Sequence, residues 1–308
     1  MSIAVFGSIN VDITAYSRRL PRPGETVHGD SYLIGLGGKG ANQAAAAARL
    51  GGKVHLIGRT GSDVFAKTAS DELAKYGVKT ARVEQVAGQS TGIAIIGVDA
   101  NGENVITVIG GANLSLSAQE AENARDELAS ARILLLQNEV PWAAAAAAAR
   151  ITREAGGTVI LDPAPAPASG LSPQAYKLAH IFTPNESETE ALTQIRPENG
   201  ESCQAAALAL HQLGAETVIL KLGAKGLFLS APGTQLHLPA FAVAAIDTVA
   251  AGDCFNGGLA HALGEGADIA TAARFAAACG ALSTTRRGAA QSAPILREVE
   301  EFLRQHGP

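Results

Sequence analysis

The stretch that decides the fold of this 308-residue chain reads DTVAAGDCFNGG and runs from Asp247 to Gly258. Two alanines and a glycine stand directly before Asp253, which opens a helical pattern that continues through Leu259 and Leu263. The N–H groups at a helix start are unpaired and positively polarised, and small residues let an anion approach them closely. A carboxylate beside such a cradle suits a general base for a hydroxyl that attacks phosphorus. An Asp near an ordinary helix start is also common, so this segment alone leaves both interpretations open.

A second glycine-rich segment, Gly35–Gln43, leads into an alanine-rich helical pattern over Ala44–Leu50. It is not a P-loop, because Lys39 is not followed by Ser or Thr. It is also a poor dinucleotide fingerprint, because we expect no well-formed strand immediately before it. Taken alone, the segment is equally well explained as a flexible turn before a helix.

Together the two segments resemble the two signatures of the ribokinase-like sugar kinases, also called the PfkB family of carbohydrate kinases. The resemblance covers essentially the whole chain, and the number and order of the matching motifs argue against chance. The other matching motifs are Gly7–Asp12, Pro23–Val27, Gly102–Asn104, Gly111–Asn113, Gln137–Glu139, Asp162–Ala166, Thr183–Glu188, Leu222–Gly226, Thr285–Ala289 and Ser292.

Composition restricts the class of protein further. The chain is 47% hydrophobic, so a sizeable core can form, and its net charge of −5 without a long basic run argues against nucleic acid as the main partner. The opening residues Met1–Phe6 predict a strand rather than a signal peptide, and no stretch of about 18 uncharged apolar residues predicts a membrane span. The three cysteines are scattered and lack metal-ligand spacing, which favours a reduced, cytoplasmic protein.

Compact apolar runs alternate with helical patterns through the rest of the chain. This alternation predicts an α/β fold, with a central, mostly parallel sheet flanked by helices on both faces. The predicted strands are Ile133–Gln137, Thr158–Leu161, Ile181–Thr183 and Thr217–Leu220, and the helices between them include Trp142–Ala155 and Glu201–Leu213. Ligands bind at the carboxyl ends of such strands. The polar or glycine residues expected at that crevice are Asn138, Glu139, Asp162, Asn185 and Gly223.

The N-terminal third predicts a separate, small antiparallel sheet, because its close strands have no helix between them. Those strands are Val11–Ser17, Ser31–Ile34, Gly92–Asp99 and Glu103–Ile109. The resemblance implies that this sheet is a lid over a sugar and that the lids of two subunits pack in a homodimer. We expect one kinase domain over residues 1–308, with lid strands inserted within about 11–36 and 92–110.

The resemblance implies ATP-dependent phosphorylation of D-ribose at its 5-hydroxyl. The nearest alternative is the same chemistry on deoxyribose, another pentose, fructose or a nucleoside such as adenosine. A third hypothesis is a non-catalytic sugar-binding protein, since fold alone does not fix function. The intact Asp253 argues against this third hypothesis, because a protein that only binds sugar does not need that carboxylate.

The residues that the resemblance assigns to the sugar carry groups that can donate to and accept from hydroxyls. They are Asn10, Asp12, Gly38, Lys39, Asn42, Glu139 and Asp253. Turn chemistry at a strand end also explains Asn10 and Asp12 when each is taken alone. The resemblance further makes Asp253 the catalytic base, and the N–H groups of Ala250, Ala251 and Gly252 the receivers of the transferring phosphoryl group.

Asn185 and Glu188 stand three residues apart at a helix start, which predicts a capping box. The resemblance implies that Glu188 also organises Mg²⁺ through water, and the two roles can coexist. The implied nucleotide-binding residues are Asn185, Lys221, Leu222, Gly223, Ala224, Lys225, Gly226, Gly252 and Ala277. The implied K⁺ site uses mostly backbone carbonyls, and its residues are Asp247, Val249, Ser283, Arg286, Gly288 and Ser292.

Three positions depart from the family pattern. Cys254 stands where a Thr is usual, and we expect its side chain to pack rather than react, because Asp253 beside it opposes a thiolate. Ala277 stands where many relatives have a polar side chain near adenine. Lys221 replaces a smaller polar residue, with an effect that the sequence does not give.

Overall fold

The computed structural model describes residues 2–167 and 169–307, so Met1 of the predicted first strand lies outside the described residues. The strands of the described chain are β1 (Ser2–Phe6), β2 (Asn10–Tyr16), β3 (Ser31–Gly37), β4 (Lys53–Gly61), β5 (Lys79–Val86), β6 (Gly92–Val98), β7 (Asn104–Ile109), β8 (Ile133–Gln137), β9 (Thr158–Asp162), β10 (Ile181–Phe182), β11 (Thr217–Lys221), β12 (Leu227–Ala231) and β13 (Thr234–Leu238). The helices are α1 (Lys39–Arg49), α2 (Val64–Lys75), α3 (Ala118–Asn123), α4 (Arg125–Ala129), α5 (Trp142–Glu154), α6 (Pro173–Leu178), α7 (Glu186–Thr193), α8 (Gly200–Leu213), α9 (Ala251–Gly264), α10 (Ile269–Ser283) and α11 (Leu296–Gln305).

Nine strands form the central sheet, in the order β13-β12-β11-β10-β9-β8-β1-β4-β5. The strands are parallel from β5 to β11, and the β12–β13 hairpin adds the antiparallel edge. Because successive side chains of a strand point to opposite faces, the sheet has two cores. Phe6 and Leu134 pack with residues of α3, α4, α5, α6 and α8, whereas Val5 and Leu135 pack with residues of α1, α2, α9 and α10. The predicted α/β architecture is confirmed.

The smaller sheet has the strand order β3-β2-β6-β7. Its outer pairs are antiparallel, but β2 and β6 are parallel, so the expectation of a wholly antiparallel sheet is wrong at the central pair. The reason is the connection, because β3, α1, β4, α2 and β5 lie between these two strands in the chain. A long crossover of this kind permits parallel pairing, whereas a hairpin does not.

Strand β3 extends to Gly37 and is followed almost directly by α1, so a strand does precede the glycine-rich segment. The sequence concealed it, because glycine is depleted in strands. Here the glycine makes room: a Cβ on Gly37 would overlap the carboxylate of Asp12 on the neighbouring strand β2.

Small residues also set the distance between α1 and α9. A Cβ on Gly257 of α9 would lie 2.6 Å from the Cβ of Ala46 on α1. The two helices therefore pack closely enough for side chains at the start of α1 to reach the start of α9. None of the helices in residues 2–167 and 169–307 combines the length and the apolar character that crossing a membrane requires.

Candidate active site

A cleft of about 840 Å³ opens at the carboxyl ends of the central strands. Asp162 ends β9, Asn185 follows β10 and Lys221 ends β11, and all three line the cleft. The first turn of α9, which carries Asp253, forms another wall. The crevice that the alternating pattern predicted is therefore present, with charged groups at its floor.

The start of α9 has an unusual backbone. Ala250 precedes the helix with φ 58° and ψ 12°, a left-handed conformation that costs an alanine roughly 1 kcal/mol. Within the described chain no side chain caps this helix. The first-turn N–H groups of Gly252 and Asp253 lack intrahelical acceptors, as in any helix, and both residues line the cleft. The arrangement can receive an anion.

Asp253 is 5% exposed, and both of its carboxylate oxygens accept hydrogen bonds from α1. Asn42 Nδ2 donates to Oδ2 at 3.1 Å, and Gln43 Nε2 donates to Oδ1 at 3.1 Å. Burial raises the pKa of Asp253 and the nearby Asp162 adds to the rise, whereas Lys39 and the two amide donors oppose it. A raised pKa makes this carboxylate a stronger base than an exposed one.

Gln43 connects the two buried carboxylates of the cleft. Its Nε2 also donates to Oδ2 of Asp162 at 3.1 Å, and its Oε1 accepts from Nε2 of Gln137 at 2.7 Å. The bond from Gln137 fixes which way the amide of Gln43 points. The sequence placed Gln43 at the end of a matching motif but gave it no role, because its partners come from distant parts of the chain.

Asp162 is surrounded by donors. Besides Gln43, Asn256 Nδ2 donates to Oδ2 at 2.9 Å and Lys221 Nζ lies 3.1 Å from Oδ1. The effect of having a lysine at position 221 was not predicted, and the structure shows that Lys221 forms an ion pair with Asp162 at the cleft.

The residues assigned to the sugar meet beneath the smaller sheet. Burial raises the pKa of Asp12 to about 7, and the carboxylates of Glu139 and Asp253 add to the shift. Glu139 Oε2 accepts from Ser8 Oγ at 2.5 Å and from the Lys39 backbone N–H at 3.0 Å. These contacts bring β2, β8 and the start of α1 to one point.

The remaining sugar residues are also held in place. Asn10 is buried, and its Oδ1 accepts from Nδ2 of Asn113 at 2.8 Å. A Cβ on Gly38 would lie 2.8 Å from the backbone N of Asn10, so these two segments touch. Oδ1 of Asn42 is buried and has no partner among the described residues, which leaves an acceptor for a ligand hydroxyl. Ser8 and Asn113 were not predicted, although both lie within motifs that match the family.

Lys39 supplies a positive charge among the carboxylates of this site. Burial opposes its charge, but the carboxylates of Asp253, Asp162 and Glu139 outweigh burial and raise the pKa of Lys39. The ammonium therefore stays charged, and it lines the cleft together with Asp253.

Most of the residues assigned to the nucleotide line the cleft, namely Asn185, Lys221, Gly223, Ala224, Gly226, Gly252 and Ala277. Two do not. The side chain of Leu222 is buried in the core, and Nζ of Lys225 donates to the carbonyl of Glu198 at 3.2 Å, outside the cleft. The β11–β12 connection turns at Gly223–Lys225, and the side chains of Leu222, just before this turn, and of Lys225, at its end, face away from the cleft.

The predicted capping box is present at the start of α7. Asn185 Oδ1 accepts from the Glu188 N–H at 2.8 Å, while the Glu188 carboxylate accepts from the N–H and Nδ2 of Asn185 at 2.7 and 2.8 Å. Burial raises the pKa of Glu188, and Lys221 partly opposes the rise. Each carboxylate oxygen accepts one bond in the cap and keeps a further acceptor site, so Glu188 can accept from the water shell of Mg²⁺ while it caps α7.

Asp247 joins the two loops assigned to the monovalent cation. Its carboxylate accepts from the Val249 N–H at 3.0 Å and from the Gly288 N–H at 2.9 Å. The side chain of Arg286 instead forms an ion pair with Glu298. A second cavity, of about 580 Å³, lies between these loops and the smaller sheet, and Asp12 and Asp247 both line it.

Ser283 and Ser292 are buried beside Cys254, whose thiol is within hydrogen-bonding reach of both. Burial raises the pKa of Cys254 to about 12, so the residue remains a thiol and packs against Ala46 and Ala293, as expected.

Comparison with known proteins gives consistent matches. A family model described as pfkB family carbohydrate kinase matches residues 1–296. A ribokinase from Haemophilus influenzae is 42% identical over 302 residues, which are 98% of each chain. A deoxyribokinase from Salmonella typhi is 37% identical over 98% of this chain and 99% of its own.

The solved structures agree. The ribokinase of Arabidopsis thaliana, complexed with ribose and ATP, superposes with a TM-score of 0.90 at 33% identity, over 97% of each chain.

Proposed function

This chain belongs to the pfkB family of carbohydrate kinases, and we propose that it transfers the γ-phosphoryl group of ATP to the 5-hydroxyl of D-ribose. The observation that carries this proposal is the position of Asp253. Its buried carboxylate lies in the first turn of a helix whose N-terminus is capped by no side chain of residues 2–167 and 169–307. Two amides of α1 orient this carboxylate, and it lines a cleft suited to a nucleotide.

In the proposed reaction the 5-hydroxyl oxygen of ribose attacks the γ-phosphorus. A new O–P bond forms, the bond from the γ-phosphorus to the bridging oxygen of ADP breaks, and the hydroxyl proton passes to Asp253. The first-turn N–H groups of α9 stabilise the charge on the transferring group. Since the transition state of phosphoryl transfer is loose, Asp253 chiefly orients the hydroxyl and collects its proton late.

Sugar recognition rests on Asn10, Asp12, Asn42 and Glu139, with Lys39 as the balancing cation. The buried Oδ1 of Asn42, which has no hydrogen-bond partner in the described part of the chain, supports this assignment, because a sugar hydroxyl can supply the donor. The similarity to a deoxyribokinase makes 2-deoxyribose the rival acceptor. A site built to pair with a 2-hydroxyl would reject the acceptor that lacks it.

Mg²⁺ would neutralise phosphate charge and help to align the nucleotide. Glu188 and Asn185 would hold its hydration shell while both oxygens of Glu188 cap α7. A monovalent cation such as K⁺ would be held near Asp247 by carbonyls of the two loops that this residue joins. There it would fix the turn that leads into Ala250–Gly252.

The smaller sheet would act as the lid and as the contact of a homodimer. One of its faces exposes large apolar side chains of β3, β6 and β7, and their exposed fractions are Tyr32 74%, Ile34 44%, Ile95 50%, Val105 59% and Ile109 41%. Soluble monomers rarely leave such a patch or a flat edge strand uncovered. The same face of a second copy of the chain would cover this apolar patch. We place the protein in the cytoplasm, where ATP is available and its three buried thiols stay reduced.

A panel of sugars assayed with ATP, Mg²⁺ and K⁺ tests the proposal. D-ribose should give the highest kcat/KM, and nuclear magnetic resonance of the product should show the phosphate on O5. The Asp253→Asn variant is the matched inactive control. A higher kcat/KM for 2-deoxyribose would select the rival acceptor, and phosphorylation of no sugar would overturn the proposal.

A further inference from the structure

We propose that Lys221 contacts the transferring phosphoryl group: its ammonium leaves Asp162 when the nucleotide binds and moves onto the γ-phosphate. This inference rests on the proposed function, because it concerns the same cleft. It goes beyond the nucleotide-binding role that the resemblance implies for Lys221, because it assigns this lysine a contact with the reacting group.

The first step of the argument is position. Nζ of Lys221 lies 3.1 Å from Oδ1 of Asp162, and a Cβ on Gly252 would lie only 3.3 Å from the same nitrogen. The ammonium therefore stands between the floor of the cleft and the first turn of α9. Its side chain is 15% exposed, and it lines the cleft.

The second step is the sign of the charge. Helix N-termini are positively polarised and favour anions, so a lysine ammonium beside Gly252 is in an unfavourable field. Asp162 offsets that field in the free protein. An anion held between the ammonium and the N–H groups of α9 would be attracted by both and would offset the repulsion between these two positive groups.

The third step is mobility. If Lys221 leaves, Asp162 keeps two hydrogen bonds, from Gln43 at 3.1 Å and from Asn256 at 2.9 Å. The carboxylate of Asp162 therefore keeps hydrogen-bond donors when its ion pair with Lys221 breaks. A lysine also has a flexible stem that can swing between two acceptors.

The chemistry of the step leaves Lys221 unchanged. As the O5–P bond forms and the bond to the bridging oxygen of ADP breaks, charge spreads over the oxygens of the transferring group. Lys221 retains its protons throughout and neutralises that charge, while Asp253 takes the hydroxyl proton.

The simpler alternative is that Lys221 only neutralises Asp162. Titration calorimetry without sugar separates the two. The Lys221→Met variant, which keeps the stem, should bind ATP roughly 10- to 100-fold more weakly, whereas the affinity for adenosine should stay within about threefold. Lys221→Arg should retain most of the affinity for ATP. The matched control is Lys67→Met, which removes a lysine–aspartate ion pair on α2, away from both cavities.

The same measurement in an Asp162→Asn background decides between the roles. If Lys221 binds phosphate, Lys221→Met should weaken ATP binding there by a similar factor. If its effect disappears once Asp162 is neutral, or if adenosine binding weakens as much as ATP binding, the inference is overturned. The calorimetry involves no sugar, so it tests the role of Lys221 alone. The assay of kinase activity on sugars tests the proposed function separately.

Discussion

The side-chain amide of Gln43 donates to Oδ1 of Asp253 at 3.1 Å, across 210 positions of sequence. The contact exists because α1 and α9 pack at the separation that Gly257 permits. The proposed base is thus aimed by a residue to which the sequence assigned no substrate contact. Its orientation depends in turn on Gln137, which holds the amide of Gln43.

Replacing Gln43 by Met should lower kcat by roughly 10- to 100-fold, because one of the two donors that orient Asp253 is lost. The hydrogen bond from Gln43 lowers the pKa of Asp253. Its removal should therefore raise that pKa and shift the acidic limb of the pH–rate profile to higher pH. A variant with reduced kcat but an unmoved profile would indicate a structural role only.

Asp253→Asn should lower turnover by roughly two to four orders of magnitude, because the proton acceptor is lost. An Asn there also meets two amide donors, and Gln137 prevents Gln43 from presenting its oxygen instead. Sugar binding by calorimetry should persist and serves as the test of folding. Near-normal turnover would contradict the assignment of Asp253 as base.

Without sugar, Asp12 should make the protein less stable as pH rises. Its folded pKa is about 7 against an ordinary value of 3.8, so the native state holds the proton more tightly than the unfolded state does. Stability from this group is full below about pH 4 and is lost as pH rises toward 7. Thermal melts of Asp12→Asn should show a smaller fall in Tm from pH 4 to pH 8. If Tm falls equally with pH in the two proteins, the raised pKa of Asp12 is refuted.

Activity should rise with K⁺ at fixed Mg²⁺ and fixed ionic strength, and Asp247→Ala should lose that response. The physical reason is that Asp247 ties the Val249 loop to Gly288, next to the turn that receives the phosphoryl group. Matched ionic strength is required, because salt also screens the charged nucleotide. Equal rates in K⁺ and in a bulky organic cation would show that no such site operates.

Ile95→Lys should convert the proposed dimer to monomers, because it places a charge in the centre of the exposed apolar face. Light scattering measures the mass. Leu208→Lys is the matched control, since Leu208 is also exposed but lies on α8, in the part of the fold away from the smaller sheet. A dimer that survives Ile95→Lys would exclude this face as the contact.

Much of the fold followed from local patterns. The apolar runs at β8, β9 and β11 are long enough to identify buried strands, and the capping pair Asn185–Glu188 marks a helix start by itself. The C-terminal end of β3 was missed, because glycine is atypical of strands. Here Gly37 leaves room for the carboxylate of Asp12 on β2.

Less of the candidate site than of the fold could be predicted from the sequence. Asp12 and Asp253 stood in recognisable motifs, so their places were predicted. The roles of Gln43 and Lys221 depend on Asp162, a partner supplied by another strand end, and no local pattern encodes that pairing. Side chains that act through a partner distant in sequence become identifiable once the strands and helices are arranged in space.

The separation of Asn42 from Asp253 by 211 positions has a consequence for biosynthesis. The ribosome makes the amide donor of Asn42 first, and the carboxylate that it holds is added 211 positions later. A nascent or prematurely terminated chain that ends before α9 has the strands that surround the cleft, but neither the base nor the anion cradle. Unfinished copies that lack α9 should therefore consume no ATP, because the proposed base is absent from them.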